Sequence, residues 1–301
     1  NSLNFAIKLI NDPAERAQLC QLNLLAGKRA KASTAYDAAK SYFDFALGLL
    51  PEDSWQQAYE LTLELHNEAA EAAYSLADYS ALQKLLEAGY AGAKTLIDKM
   101  DLYLVQISAL IAQGRLQESL DLAKPVIAKL DYHYPDKPNK LQVMIELFKS
   151  IIFLRKVDMK KLENLPAMTD PRHIAAHLIG SRIGAPAMFL QPELLSMMAF
   201  RSLRIQYKHG HCVHALNAWT LYGMVLASRL YKSGKGDAFG KLALLLTKRF
   251  KSRAMAARVE HLYNAVVRHG HEPLRNCIDP LQQAYRLAME NGDFEYAVLA
   301  L

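Results

Sequence analysis

The 301-residue sequence predicts an all-α protein, a superhelical array of antiparallel helix pairs of the kind called an α-solenoid, and three observations predict it. Half of the residues are apolar (51%), Ala and Leu dominate, and no long stretch carries the alternation of a half-buried strand. A corner of small, polar and bulky residues recurs at Tyr36, Tyr79, Leu116 and Phe294. Between corners, small and aromatic residues such as Tyr36, Ala39, Phe43 and Ala46 recur at helical spacing.

The opening "NSLNFAIKLINDPAERAQL" lacks a basic start followed by an apolar core, so it is not a secretory leader. Residues 1–13 read as the tail of an upstream module. Regular helix pairs are expected over 14–131. In "CQLNLLAGKRAKASTAYDAAKSYFDFALGLLPED", residues 20–53, Gly27 takes the small position of a first helix. Tyr36, Ala39, Phe43, Ala46 and Pro51 then fall where the tetratricopeptide pattern of about 34 residues places an aromatic, a small residue, an aromatic, a small residue and a terminating proline. Small side chains let two helices approach, aromatics fill the gap, and Pro51 cannot extend the hydrogen-bond ladder. The corners "LADYSAL" (76–82), "QGRLQES" (113–119) and "NGDFEYA" (291–297) repeat the turn. Their spacing, 43 residues from Tyr36 to Tyr79 and 37 from Tyr79 to Leu116, implies helices longer than the strict repeat.

Residues 132–192 read as an irregular helical connector, with a loop at "DYHYPDKPNK", a helix start at Asp170–Pro171 and a proline-broken stretch at "IGAPAMFLQPE". Further pairs are expected within 193–301: 193–208 with 211–232, 235–250 with 253–269, and 273–291 with a helix from 294 onward. Leu301 falls inside that last helix, so the chain reads as an excised segment.

The chain "QLNLLAGKRAKASTAYDAAKSYFDFALGLLPEDSWQQAYELTLELHNEAAEAAY" (21–74), with "LIAQGRLQESL" (110–120), "MTDPRHIAA" (168–176), "YGMVLASRLYKSGKGDAFGKLALLL" (222–246) and "GDFEYAVLAL", resembles a known segment. It is similar to the tetratricopeptide-like helical-repeat part of very large bacterial multidomain signalling proteins. In these a Ser/Thr-kinase-like domain and a predicted AAA-type ATPase precede the repeats, and a GAF sensor and a histidine kinase follow. The resemblance covers nearly the whole chain and implies a non-catalytic scaffold that couples modules of a larger kinase and ATPase protein. It carries no catalytic residue onto this sequence.

The chain also lacks the common catalytic motifs. "LLAGKRAKAST" lacks the first glycine and the Lys-Ser/Thr pair of a phosphate loop, and no H-E-x-x-H, C-x-x-C or G-x-S-x-G occurs. No cofactor is expected and no metal. His209, His211, His214 and Cys212 in "KHGHCVH" include only two ligands on one helical face, at His211 and His214, and no acidic residue occurs between Glu193 and Asp237. The second "HGH", at His269 and His271, fits helix ends at Gly210 and Gly270 with basic side chains near the negative pole.

Binding residues follow from the repeat register. The inner wall would carry Gln21, Leu24, Lys28 and Lys31, then Glu64, Asn67, Glu71 and Tyr74. The Lys/Asn clamp some tetratricopeptide domains use for C-terminal carboxylates is not reproduced. Net charge is +6, unevenly placed: 1–130 carries −4 and 201–260 carries +10. Lys248, Arg249, Lys251, Arg253 and Arg258 form the basic-surface candidates, read as a solvated connector with no specific nucleic acid expected. The partners expected are protein domains of the same parent or a signalling partner. A rival is sensing of a small molecule or peptide in the superhelical groove. Three scattered cysteines fit a reducing compartment, and the cytoplasm is expected, without a membrane span even at the charge-free stretch 209–228.

Overall fold

The computed structural model describes residues 12–155, 157–228, 233–270, 272–291 and 293–301. Among them the secondary structure is helical without a strand, apart from one isolated bridge between Ala167 and His211. Two compact units result, Asn1–Ala123 and Lys124–Leu301.

In the first unit, α1 (Pro13–Ala32) starts at Asp12, whose carboxylate accepts the Ala14 amide at 3.2 Å, and Pro13 supplies a pre-set first turn. After a corner with Thr34 at φ 60°, α2 (Tyr36–Leu49) packs on α1. A Cβ on Gly27 would come within 2.3 Å of the Phe43 ring, so the two helices meet where the sequence has no side chain. Ala39, Phe43 and Ala46 are fully buried there. Removing the Phe43 ring from water contributes about 2–3 kcal/mol. A short α3 (Ser54–Gln57) leads into α4 (Tyr59–Ser75). Asp78 caps α5 (Tyr79–Gly92) by accepting the Ala81 amide at 3.1 Å. Then α6 (Met100–Ala112) ends at Gly114, whose φ of 73° lets the chain reverse before α7 (Leu116–Ala128). Helix α4 packs on both α1 and α6, while α2 and α5 also pack against it.

The second unit contains α8 (Lys140–Leu154), α9 (Met159–Glu163), α10 (Pro171–Arg182), α11 (Gly184–Leu190), α12 (Pro192–His209), α13 (Asn217–Ser228), α14 (Ser233–Arg249), α15 (Arg253–Leu262), α16 (Arg275–Glu290) and α17 (Phe294–Leu299). Asn139 and Gln142 close a reciprocal cap on α8. Asp170 caps α10 through the Arg172 amide at 2.8 Å. The stretch read as an irregular connector therefore holds two well-formed helices, α8 and α10. The core gathers Phe200, Leu203, Trp219, Tyr222, Phe239, Leu242 and Val259, with the Trp219 and Phe239 rings parallel at 5.9 Å. A buried ion cluster ties α8 to α12: Glu146 meets Arg204 and, at 3.2 Å, Arg201. The three thiols are all buried.

Two expected helices begin or end elsewhere. A helix over 211–232 is not formed at its start: an extended crossing at 210–212 is followed by one tight turn, Val213–Ala215, and α13 begins at Asn217, while 229–232 lie outside the described residues. The cause lies in Gly210, at φ 95°, whose missing Cβ would lie 2.6 Å from the Pro166 carbonyl oxygen. His211 then exchanges backbone bonds with Pro166 (2.8 Å) and Met168 (2.9 Å) instead of entering a helix. The helix expected over 253–269 stops as α-helix at Leu262, widens into a π turn over Tyr263–Val267 and tightens at Arg268–Gly270.

Candidate functional site

The residues expected to line an inner wall lie on α1 and α4. Lys28 pairs with Glu64, and Lys31 lies 2.5 Å from Glu68 and 2.7 Å from Glu71. Burial works against the Lys31 charge, but its bonds to Glu68 and Glu71 outweigh it and hold the lysine pKa above its ordinary value. The Asn67 amide reaches Asp101 on α6 at 3.4 Å. Gln21 is exposed and Tyr74 is partly covered. Leu24 is not on the wall: it is 8% exposed and packs in the core with Leu19, Cys20 and Phe43, because it lies one turn from Cys20 on the face turned to α2. Glu68, which the register did not single out, joins this charge cluster through Lys31. Its i+4 spacing from Glu64 was the available signal.

The basic candidates divide. Lys248, Arg249, Lys251 and Arg253 are exposed around the α14–α15 corner. Arg249 donates to the Glu163 carbonyl and lies 5.1 Å from the Phe250 ring, and Arg253 is 3.9 Å from Glu290. Arg258 is half-buried and paired rather than a free surface charge. Its guanidinium meets the nine-tenths-buried Asp293 carboxylate at 2.6 Å and covers the Tyr296 ring at 4.9 Å.

The histidines are likewise dispersed. His211 is fully buried and its Nε2 donates to the Leu162 carbonyl at 2.7 Å. His209 packs against His173 with ring centres 4.2 Å apart and planes tilted by 53°. His271 lies outside the described residues. Among those described, no three His, Cys, Asp or Glu side chains converge as a metal site.

The second unit contains a feature the sequence did not reveal: a partly open cavity of about 130 Å³. Its walls come from α10 to α13 and α15, with the Tyr132–Tyr134 loop and Tyr296. Ala176, Gly180, Gly184 and Ala185 leave the space, and Met188, Leu195, Met198, Leu221 and Leu262 give it an apolar surface. On one side runs an ordered relay. His177 Nδ1 donates to the His173 carbonyl at 2.7 Å, which leaves Nε2 to accept the Ser202 hydroxyl at 3.0 Å. The Ser202 oxygen accepts from Gln206 Nε2 at 3.0 Å, and Gln206 also holds the Ala215 carbonyl and the Cys212 amide. Burial pushes the His177 pKa down to about 4, so the imidazole is neutral and its tautomer fixed. Burial lowers the pKa of His214 as well and pushes the Tyr134 hydroxyl up to about 12.

A different face of this unit is apolar and open to water. On α8, Leu141, Met144, Ile145, Phe148 and Ile152 form one stripe, with Leu141 70% and Ile152 61% exposed, while Leu147, Ser150 and Leu154 face inward.

No protein-family model matches the chain. Over 340 aligned positions it is 22% identical to Hybrid signal transduction histidine kinase G of Dictyostelium discoideum. The match takes in the whole chain and about 10% of that protein's length. The source of this relative lends no support to the bacterial setting expected above. No helix among the described residues is long and apolar enough to cross a membrane. The similarity is distant and spans a small part of that relative.

Proposed function

We propose that the chain is a non-catalytic interaction and signal-coupling scaffold, a tetratricopeptide-like solenoid segment within a larger kinase and ATPase signalling protein. The observation that carries this reading is the packing of the first unit. Helices α1, α4 and α6 lie in succession, with polar pairs from Lys31 to Glu68 and Glu71 and from Asn67 to Asp101 linking each to the next. In a face built this way each helix rests on the next, so a displacement at one end is passed along the row through successive interfaces. Phosphoryl transfer needs a phosphate cradle, a held metal and a positioned nucleophile, and the motifs that supply them are missing from this sequence. The flanking catalytic modules act, and this segment sets their spacing.

The test compares the purified chain, given ATP and magnesium, with a longer protein that includes its neighbouring modules. We expect no hydrolysis or phosphotransfer by the chain, and altered output of the longer protein when Lys31→Glu reverses the wall's pairing. Turnover by the chain that survives purification and disappears on mutating one of its residues would overturn the scaffold reading. A second reading, ligand sensing, is favoured by the cavity in the second unit. Nucleic-acid binding has less support, because Arg258 is paired with Asp293 and half-buried, and Arg249 is held by the Glu163 carbonyl.

A further inference from the structure

We propose that the cavity in the second unit is a binding site for an uncharged, planar heteroaromatic molecule of one or two rings, held by His214, Asn217 and Tyr134. The inference stands apart from the coupling role and would survive its failure.

Size comes first. A dry apolar cavity of about 150 Å³ suffices for a benzene-sized guest, and here about 130 Å³ opens outward, so one ring fits inside with a second reaching the mouth. Shape follows from the walls: Met188 and Met198 offer flexible, polarisable thioethers, which favour flat aromatic faces.

The polar groups decide the chemistry. The His214 imidazole, the Asn217 carboxamide and the Tyr134 hydroxyl all line the space, and none of the three has a hydrogen-bond partner among the described residues. Their atoms are not sealed off either, since the buried unsatisfied atoms of this unit lie elsewhere, on His211, Trp219, Thr220 and His261. A carboxamide both donates and accepts, a pattern that suits the edge of a nitrogen heterocycle. By contrast, the relay beside them is internally satisfied.

Charge excludes ions. Arg258 is the one formally charged lining residue among those described, and Asp293 neutralises it at 2.6 Å. Burial keeps His177 neutral. A carboxylate or ammonium entering this space would lose its hydration without gaining a counter-charge.

The test uses adenine, nicotinamide and indole as neutral probes, with benzoate and benzamidine as charged controls, read by thermal shift and by the methyl signals of ¹³C-methyl-methionine protein. We expect at least one neutral probe to give a saturable rise in melting temperature and to move Met188 and Met198, while the charged controls do neither. Gly180→Leu fills the space: a Cβ there meets only the movable Met198 Cε, at 3.0 Å. This variant should stay helical and lose the shift. Asn217→Leu should weaken adenine or nicotinamide binding by roughly 5- to 20-fold, the loss expected for one hydrogen-bond pair. The proposal is overturned if no neutral probe binds saturably, if the charged controls bind as well, or if binding leaves Met188 and Met198 unmoved. Persistence of the shift in folded Gly180→Leu overturns it too.

Discussion

The His177 relay makes a specific demand on acid stability. The ring is 6% exposed, its Nδ1 proton is committed to the His173 carbonyl, and its Nε2 lone pair accepts the Ser202 hydroxyl. Protonation would place a second N–H against a hydroxyl already aligned to donate, inside a site where burial disfavours charge. The folded pKa is about 4 against an ordinary 6.5. The unfolded chain therefore takes up a proton that the folded chain refuses. This histidine's contribution is fully present above pH 6.5, falls as pH drops below it, and levels off below about 4. Between pH 7 and pH 5 that amounts to about 2 kcal/mol. Other histidines, the buried His66 and His211 and the half-buried His261 among them, are shifted the same way, so the wild-type loss alone does not isolate His177. The comparison is with His177→Gln, whose side-chain oxygen can still accept from Ser202 but does not titrate. Urea unfolding at pH 7 and pH 5 should show the variant losing about 2 kcal/mol less than wild type over that interval, whatever its stability at pH 7. Parallel curves for the two proteins would refute the assignment of a neutral, donor-committed His177.

Three further outcomes rest on packing and charge. Gly27→Ala drives a methyl into the Phe43 ring and should cost about 1–3 kcal/mol by denaturant unfolding, whereas Gly48→Ala, with nothing within 4 Å, should be neutral or gain up to about 1 kcal/mol. Glu146→Ala leaves Arg201 and Arg204 half-buried without their carboxylate and should cost about 3–5 kcal/mol; burial opposes the Glu146 charge but the arginines outweigh it, so its pKa is lowered and its stabilisation is lost as acid titrates that lowered value. Phe148→Glu with Ile152→Lys alters the exposed stripe of α8 and should change stability by less than about 0.5 kcal/mol for each position while reducing binding of a hydrophobic dye.

The first unit was legible because its signals are local. Asp78 before Tyr79 and Gly114 before Leu116 state where one helix stops and the next starts, and Gly27 opposite Phe43 states which faces meet. The second unit was less so. Gly210 reads as a helix end in the sequence and is one, but the reason His211 does not start the next helix is a neighbour 45 residues away, Pro166, which no local pattern encodes. Arg258 looked like one more charge in a basic run. Its partner Asp293 is 35 residues off, and pairing across that distance is set by tertiary packing. The cavity was the least visible feature: it is made by small residues, Ala176, Gly180 and Gly184, that in sequence look the same as those of any closely packed helix pair.

The buried thiols have a practical consequence for watching this molecule move. Cys20 is sealed in α1 with its Sγ donating to the Ala46 carbonyl at 3.4 Å, Cys212 sits in the crossing held by Gln206, and Cys277 lies within α16. Burial pushes the first two up to about 11, so neither forms an appreciable thiolate near neutral pH while its surroundings stay closed. A maleimide or disulfide reagent therefore meets each sulfur only when its own segment opens. Three alkylation rates, resolved by mass spectrometry of digested protein, give three separate clocks: one on the α1–α2 hairpin, one on the floor of the histidine relay and one on the penultimate helix. No label, tag or substitution has to be introduced to start them.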